Sequence, residues 1–460
     1  MHSVKWNVFD KLSTQGLYAI TGIILANLIS PEEFGLVGAV LVFQAFAALF
    51  VDSGFASALI QRKEPTEQDY STIFWFNIII AIGIYAILWF SAPLIDLWFH
   101  GQGRLIWLAR ASFLTVILNA TGIVQTNRMV KQMTMRPVAI ANCLGLLIGG
   151  IIGIYLAIQR ADAWALVWQQ VITAGAKSAI LWIMVRWTPM MVCSRQIIRS
   201  FFAVGSGVMF QSLLNVIFQN IYSFFIGNRL GFISLGNYTQ ADKWSKMGSA
   251  ALSAILTSSF LPALSAVQDQ PERFARFVKK MHRSTAALLF ISFGWMIIVA
   301  EPLFHALLGH KWDAAIPLFQ LLVARGIFTV LTSLYCNFIL AVGKSKLLVK
   351  NEILRNAGSL IALVATMQFW HESNGLEIMI WGQIIAAAIT FVATVAMTAT
   401  VTYRSIEAYL LDLAPMLAWA IIPLALSVIV VTNISNPWIA IGVSVISVLV
   451  YPPIYRLRNI

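Results

Sequence analysis

Apolar segments of about 20 residues, the length that spans a bilayer as a helix, recur along the whole chain between short turns bearing Pro, Gly, Asn or charges. Fourteen are legible, at 12–29, 35–60, 72–98, 105–126, 138–158, 163–185, 201–226, 233–262, 284–304, 315–341, 352–370, 377–400, 413–431 and 438–455. The first, seventh and eighth are the least apolar. Residues 1–33 contain no short apolar core ending at a small-residue cleavage site, so the start of the chain reads as a first spanning helix rather than a signal peptide. The expected fold class is all-α: a polytopic membrane protein of about 14 transmembrane helices.

The basic residues test that count, because cytoplasmic loops of membrane proteins are enriched in Lys and Arg. With the N-terminus inside, 22 of the 31 cations fall in cytoplasmic loops, and only Arg104, Arg160, Arg229 and Lys311 fall outside. Adding or removing one helix would invert every later loop and spoil the asymmetry. The expectation is a multi-pass protein of the bacterial cytoplasmic (inner) membrane with both termini cytoplasmic. The net charge of +12 is explained by this topology, since no basic face on a soluble domain points to nucleic acid.

Composition agrees, with 59% hydrophobic residues, 11% charged and a mean hydropathy of +0.80. A weak internal repeat at an offset of 201 residues sets ISPEEFGLV (29–37) against LGFISLGNY (230–238) and aligns Gly35 with Gly236. The offset covers six helices, an even number, so the halves enter the membrane in the same orientation as a parallel repeat. The predicted organisation is two six-helix lobes, 1–198 and 199–402, with 403–460 as two appended helices. Two lobes around a central cavity are a transporter architecture.

SPEEFGLVGAV, followed by VDSGFASALIQRKEPTEQDYSTIFWFN at 51–77, resembles the polysaccharide-unit flippases (Wzx-type, including colanic acid and teichuronic acid exporters) of the multidrug/oligosaccharidyl-lipid/polysaccharide exporter superfamily. The resemblance is specific over about the first hundred residues. It implies translocation of an undecaprenyl-pyrophosphate-linked oligosaccharide from the cytoplasmic to the periplasmic leaflet. Read physically, Ser30 and Pro31 are an N-cap and first helical position, and Glu32 and Glu33 sit where a helix dipole favours anions. Gly54, Ala56, Ser57 and Ala58 suit close helix packing.

Charges within spans are expensive in hydrocarbon, so each needs a partner, a route to the surface or a wet cavity. Five cations are placed so: Arg110, Lys177, Lys243, Lys246 and Arg325. Asp242 and Lys246, four residues apart, share a helical face and can neutralise one another. Lys243 points elsewhere, and it and Arg110 stand between substrate contact and snorkelling. Lys177 has Asp52 at comparable depth as an ion-pair candidate. Arg325 has no acid expected at matching depth and is the leading candidate for binding phosphate through its guanidinium. Against Asp52 and Asp242 the five leave an excess of three positive charges, which suits a pyrophosphate or acidic sugar and disfavours cationic drugs.

Asn77, Asn119, Gln125, Asn142, Gln169, Gln170, Asn215, Gln219 and Asn220 either bind sugar hydroxyls or join helices. Trp98, Trp107, Trp164, Trp187, Trp312, Trp370 and Trp438 lie near span ends, as an interfacial belt requires. Cys143, Cys193 and Cys336 show no metal or disulfide spacing, and AVGKSKLL lacks the first glycine of a P-loop because position 338 is Phe. No cofactor or metal is expected. Asp52 or Asp242 are candidates for a monovalent coupling cation. The partners expected are the polyprenyl-linked oligosaccharide, membrane lipid and other polysaccharide-assembly membrane proteins. An ion-coupled multidrug exporter is the first alternative. The second, a membrane-embedded biosynthetic enzyme, lacks room, since every loop is short and the six histidines lie near span ends or loops.

Overall fold

A computed structural model describes residues 2–52, 55, 59, 62–267, 270–370, 374–402 and 404–450. Fifteen α-helices are described: α1 (His2–Leu28), α2 (Pro31–Asp52), α3 (Glu67–Trp98), α4 (Arg104–Ser112), α5 (Leu114–Lys131), α6 (Arg136–Arg160), α7 (Ala163–Val185), α8 (Arg195–Ser265), α9 (Pro271–Ile298), α10 (Ala300–Leu307), α11 (Ala315–Ala341), α12 (Ser345–Thr366), α13 (Gly375–Thr402), α14 (Ile406–Asn433) and α15 (Pro437–Val450). Among the described residues there is no strand. Among the described residues eight helical stretches, α4 and α5 together counting as one, are long and apolar enough to cross a membrane, and this is a multi-pass membrane protein. The small-residue group Gly54, Ala56, Ser57 and Ala58 lies outside the described residues.

Helices fall on all fourteen predicted segments, those at 35–60 and 438–455 being described continuously only as far as Asp52 and Val450, and three differences each have a local cause. The span at 105–126 is divided into α4 and α5, because Gln44 of α2 donates to the Ser112 carbonyl (2.8 Å) and the Val116 amide turns to Phe113 instead (3.0 Å). A side chain inserted into the helical ladder is a recognised cause of a kink. The span at 284–304 is divided likewise, and Gln320 of α11 takes the Ile297 carbonyl at 3.0 Å. The spans at 201–226 and 233–262 run together as α8, interrupted at Gly231, whose φ of 81° and ψ of −180° are open only to glycine.

The chain divides into two compact units, Met1–Gly236 and Asn237–Ile460. In the first, α6 lies along α7 through Gly145, Gly149 and Gly153, spaced by four. A Cβ on Gly149 would fall 2.0 Å from Thr173 Oγ1, and one on Gly153 2.7 Å from Gln169 Cβ. Small residues at this spacing let helix backbones meet where no hydrophobic force drives them together. The α3 start is fixed by a capping box between Thr66 and Asp69, with Arg62 on Asp69 at 3.0 Å. Glu67 binds Arg128 (2.7 Å) and the Trp187 indole (2.8 Å), so the EPTEQDY stretch holds one end of this unit together.

The SPEEFG stretch does the same at the other end. α2 begins at Pro31 as expected, Arg104 reaches Glu32 at 2.5 Å and also Glu33, and Glu33 Oε2 accepts from the Ala163 amide at the start of α7 (2.9 Å). The repeat-related glycines meet here. A Cβ on Gly35 would lie 1.8 Å from the Phe232 carbonyl oxygen, and one on Gly236 1.8 Å from that of Pro31. Phe232 precedes Gly236, and Pro31 precedes Gly35, by four residues, so the contact is reciprocal.

In the second unit, α13 packs on α11 and α12, and α14 on α9. Arg283 and Arg404 share Asp412 at 2.7 and 2.5 Å, tying α14 to α9. The interfacial tryptophans divide. Trp98, Trp107 and Trp438 are exposed as a belt requires, whereas Trp187, Trp312 and Trp370 are buried and serve packing instead.

Candidate functional site

The α8 segment after Gly236 brings Tyr238, Asp242 and Lys246 onto one face, spaced by four residues. Lys246 Nζ contacts Asp242 Oδ2 at 2.6 Å, the local pairing its spacing predicts. Arg325 of α11 approaches the other oxygen, Nη2 to Oδ1 at 3.2 Å, and its Nη1 donates to Gln383 Oε1 of α13. The Tyr238 hydroxyl belongs to the same group, facing Arg325 and Gln383. Gly326 positions the arginine: its missing side chain lets α11 approach Ser249 of α8 and Phe293 of α9.

Arg325 therefore does have an acid at its depth, contrary to the expectation from the sequence. Depth estimated along separate helices does not show which residues a bundle brings together, and α11 passes α8 close to Asp242. One carboxylate thus serves two cations. Tyr238 and Gln383 are buried, Asp242 and Arg325 are mostly buried, and the Lys246 side chain is 54% exposed.

Polar demand on this segment exceeds what the surrounding helices supply. Among the described residues, Asn237 Oδ1, Gln240 Oε1 and Trp244 Nε1 are buried without a hydrogen-bond partner. Each such group costs about 1–3 kcal/mol when left unsatisfied. Lys243 lies with its ammonium 5.1 Å from the Trp244 ring centre. Residues 237–246 combine two cations, one acid and unanswered hydrogen-bonding atoms, and Arg325 adds a third cation, an arrangement suited to a polar, anionic guest.

Arg110 and Lys177 have local partners of their own in the first unit. Arg110 is held between the indoles of Trp89 and Trp107, at 4.6 and 4.8 Å, and its Nε donates to the Trp89 carbonyl at 3.3 Å. Lys177 packs beside Gly145, and the charge of Asp10 on α1 reaches it. Asn142 donates to the two Asp10 oxygens at 3.0 and 3.3 Å. Asp52 ends α2, and its side chain lies outside the described residues.

Asp96, in the span at 72–98, accepts from the Gly103 and Leu105 amides at 2.8 and 2.9 Å and caps α4. The charge excess of three counted from Asp52 and Asp242 alone omits Asp96, which lies within the span at 72–98. Sequence reasoning missed Tyr238 and Gln383. The four-residue spacing of Tyr238 from Asp242 and the lone amide of Gln383 in an apolar helix were the available signals.

Comparison with known proteins follows the same stretch of chain. The family model described as polysaccharide biosynthesis protein matches residues 24–317, which include Asp242, Lys243 and Lys246 and stop short of Arg325. The chain is 26% identical over 388 residues to the succinoglycan biosynthesis transport protein ExoT of Rhizobium meliloti, covering 84% of this chain and 77% of that protein. It is 26% identical over 354 residues to the teichuronic acid biosynthesis protein TuaB of Bacillus subtilis, covering 75% and 72%. Among solved structures, the lipid II flippase MurJ in an inward closed conformation shares the fold with a TM-score of 0.71, at 13% identity and 99% coverage of both chains.

Proposed function

As the chain belongs to the polysaccharide biosynthesis protein family, we propose that it is a flippase carrying undecaprenyl-pyrophosphate-linked oligosaccharide units from the cytoplasmic to the periplasmic leaflet. The relatives named for succinoglycan transport and teichuronic acid biosynthesis support a polysaccharide unit as cargo. The lipid II flippase supports the lipid carrier by likeness of fold. The protein resides in the bacterial inner membrane with both termini cytoplasmic, as its loop charges favour.

The observation that carries the reading is the single Asp242 carboxylate held between Arg325 and Lys246. A guanidinium buried without countercharge is unstable, so Asp242 keeps Arg325 compensated while the site holds no cargo. An arriving pyrophosphate offers the guanidinium a better, bidentate partner and replaces Asp242. Gln240, Asn237 and Trp244 then find acceptors and donors on the head group. The lobes 1–198 and 199–402 alternate access to this site, while the polyprenyl tail stays in lipid beside 403–460. Asp242, released from Arg325, is the candidate for coupling to a monovalent cation.

A cation-exporting multidrug protein would keep an unpaired acid for its cargo, and here the acid is outnumbered. Gene deletion tests the assignment. Lipid-linked repeat units are expected to accumulate on the cytoplasmic leaflet while surface polysaccharide is lost. Failure to synthesise the units at all would favour the biosynthetic enzyme.

A further inference from the structure

The turn between α10 and α11 carries a group of side chains that transport does not use. His305 lies in the last turn of α10, His310 opens a one-turn 3-10 helix, His310–Trp312, and Asp313 follows it. His305 Nε2 lies 2.9 Å from Asp313 Oδ1, and His310 Nδ1 lies 3.8 Å from the same oxygen. The two imidazole rings are 4.2 Å apart between centres. One donor atom from each of the three residues falls within 4.8 Å of the others.

We propose that His305, His310 and Asp313 form a binding site for a borderline divalent transition-metal ion, zinc in particular. Two imidazole nitrogens and a carboxylate oxygen are the donor types zinc takes at about 2.0–2.2 Å, and tetrahedral ligands at that radius stand about 3.3 Å apart. The measured separations of 2.9 and 3.8 Å bracket that value. Mixed nitrogen and oxygen donors without thiolate select zinc, copper or nickel over calcium and magnesium. A metal at these residues departs from the expectation, drawn from the sequence, that the chain holds no metal.

The backbone presents the three donors rigidly. The Leu308 and Gly309 amides both bond back to the Phe304 carbonyl, at 2.7 and 3.0 Å, closing α10. Gly309 has a φ of 83°, and the Trp312 amide returns to its carbonyl at 3.2 Å. The Asp313 amide bonds to the His310 carbonyl at 3.1 Å, and Trp312 is fully buried as an anchor between the ligands. The His310 and Asp313 side chains are 79% and 57% exposed, so a metal has an entry path and an open position for water or a fourth ligand. Lys311 beside them is among the few cations in predicted outer loops, so the site faces the periplasm in the proposed topology.

The test uses full-length protein purified in detergent through a histidine-free tag. It is incubated with zinc, desalted, and analysed for metal and for thermal midpoint. The wild type is expected to retain one zinc per chain more than the His305→Ala/His310→Ala variant, and zinc is expected to raise only the wild-type midpoint. Asp313→Asn is expected to weaken zinc about tenfold in competition with a chromophoric chelator. His310→Ala removes an exposed side chain and preserves folding, and His100→Ala serves as the control that keeps the metal. Equal zinc retention by wild type and double variant, or an unchanged affinity in Asp313→Asn, overturns the site.

Discussion

Arg325 and Asp242 meet through a single contact, Nη2 to Oδ1 at 3.2 Å, on a carboxylate whose other oxygen Lys246 already holds at 2.6 Å. The two partners are therefore unequal. Asp242→Asn strands a mostly buried guanidinium and is expected to destabilise the protein by about 3 kcal/mol. Arg325→Ala leaves Asp242 with Lys246, so its effect on stability is smaller while transport is lost. The double variant Asp242→Asn/Arg325→Gln should recover a near-normal thermal midpoint without recovering export. Thermal midpoints in detergent and surface-polysaccharide assays separate these outcomes.

The reciprocal contact of Gly35 and Gly236 leaves no room for a methyl group, because each missing Cβ would stand 1.8 Å from a backbone carbonyl oxygen. Gly35→Ala and Gly236→Ala are each expected to lower stability by about 3 kcal/mol. The two act on one helix crossing, so the double variant should cost clearly less than the sum of the singles. Additive losses in the thermal midpoint would show that the contacts are independent.

Glu33 joins three elements: its own helix start, Arg104, and the Ala163 amide at the N-terminus of α7. Glu33→Gln keeps a hydrogen-bond acceptor and removes the charge, and is expected to cost about 1 kcal/mol. Glu33→Ala removes both and should cost about twice as much. Arg104→Ala should be milder, since that side chain is half exposed. A double-mutant cycle on Glu33 and Arg104 checks the ordering.

The helix framework was legible because hydrocarbon enforces length and apolarity: the segments at 163–185 and 315–341 appear as helices with those ends. Gly35 and Gly236, aligned by the 201-residue offset, stand where close backbone contact tolerates no side chain. What the sequence hid depends on packing between helices. Arg325 looked unpartnered because its acid lies 83 residues earlier, on another helix. Lys177 was matched by depth to Asp52, whose side chain lies outside the described residues, and the charge of Asp10, just outside the predicted first span, also reaches it. Trp187 and Trp312 sit at helix ends like belt residues, yet hydrogen bonding to Glu67 and close packing draw them inside.

Reconstitution into liposomes tests the central claim most directly. With a fluorescent undecaprenyl-pyrophosphate oligosaccharide in both leaflets, a membrane-impermeant quencher reports how much of the lipid exchanges between them. Wild-type protein is expected to make the whole pool accessible over time, and Arg325→Ala, folded by its thermal midpoint, to leave about half protected. Protection of half the pool by wild type, or full exchange by Arg325→Ala, would contradict transport through the Asp242, Lys246 and Arg325 site.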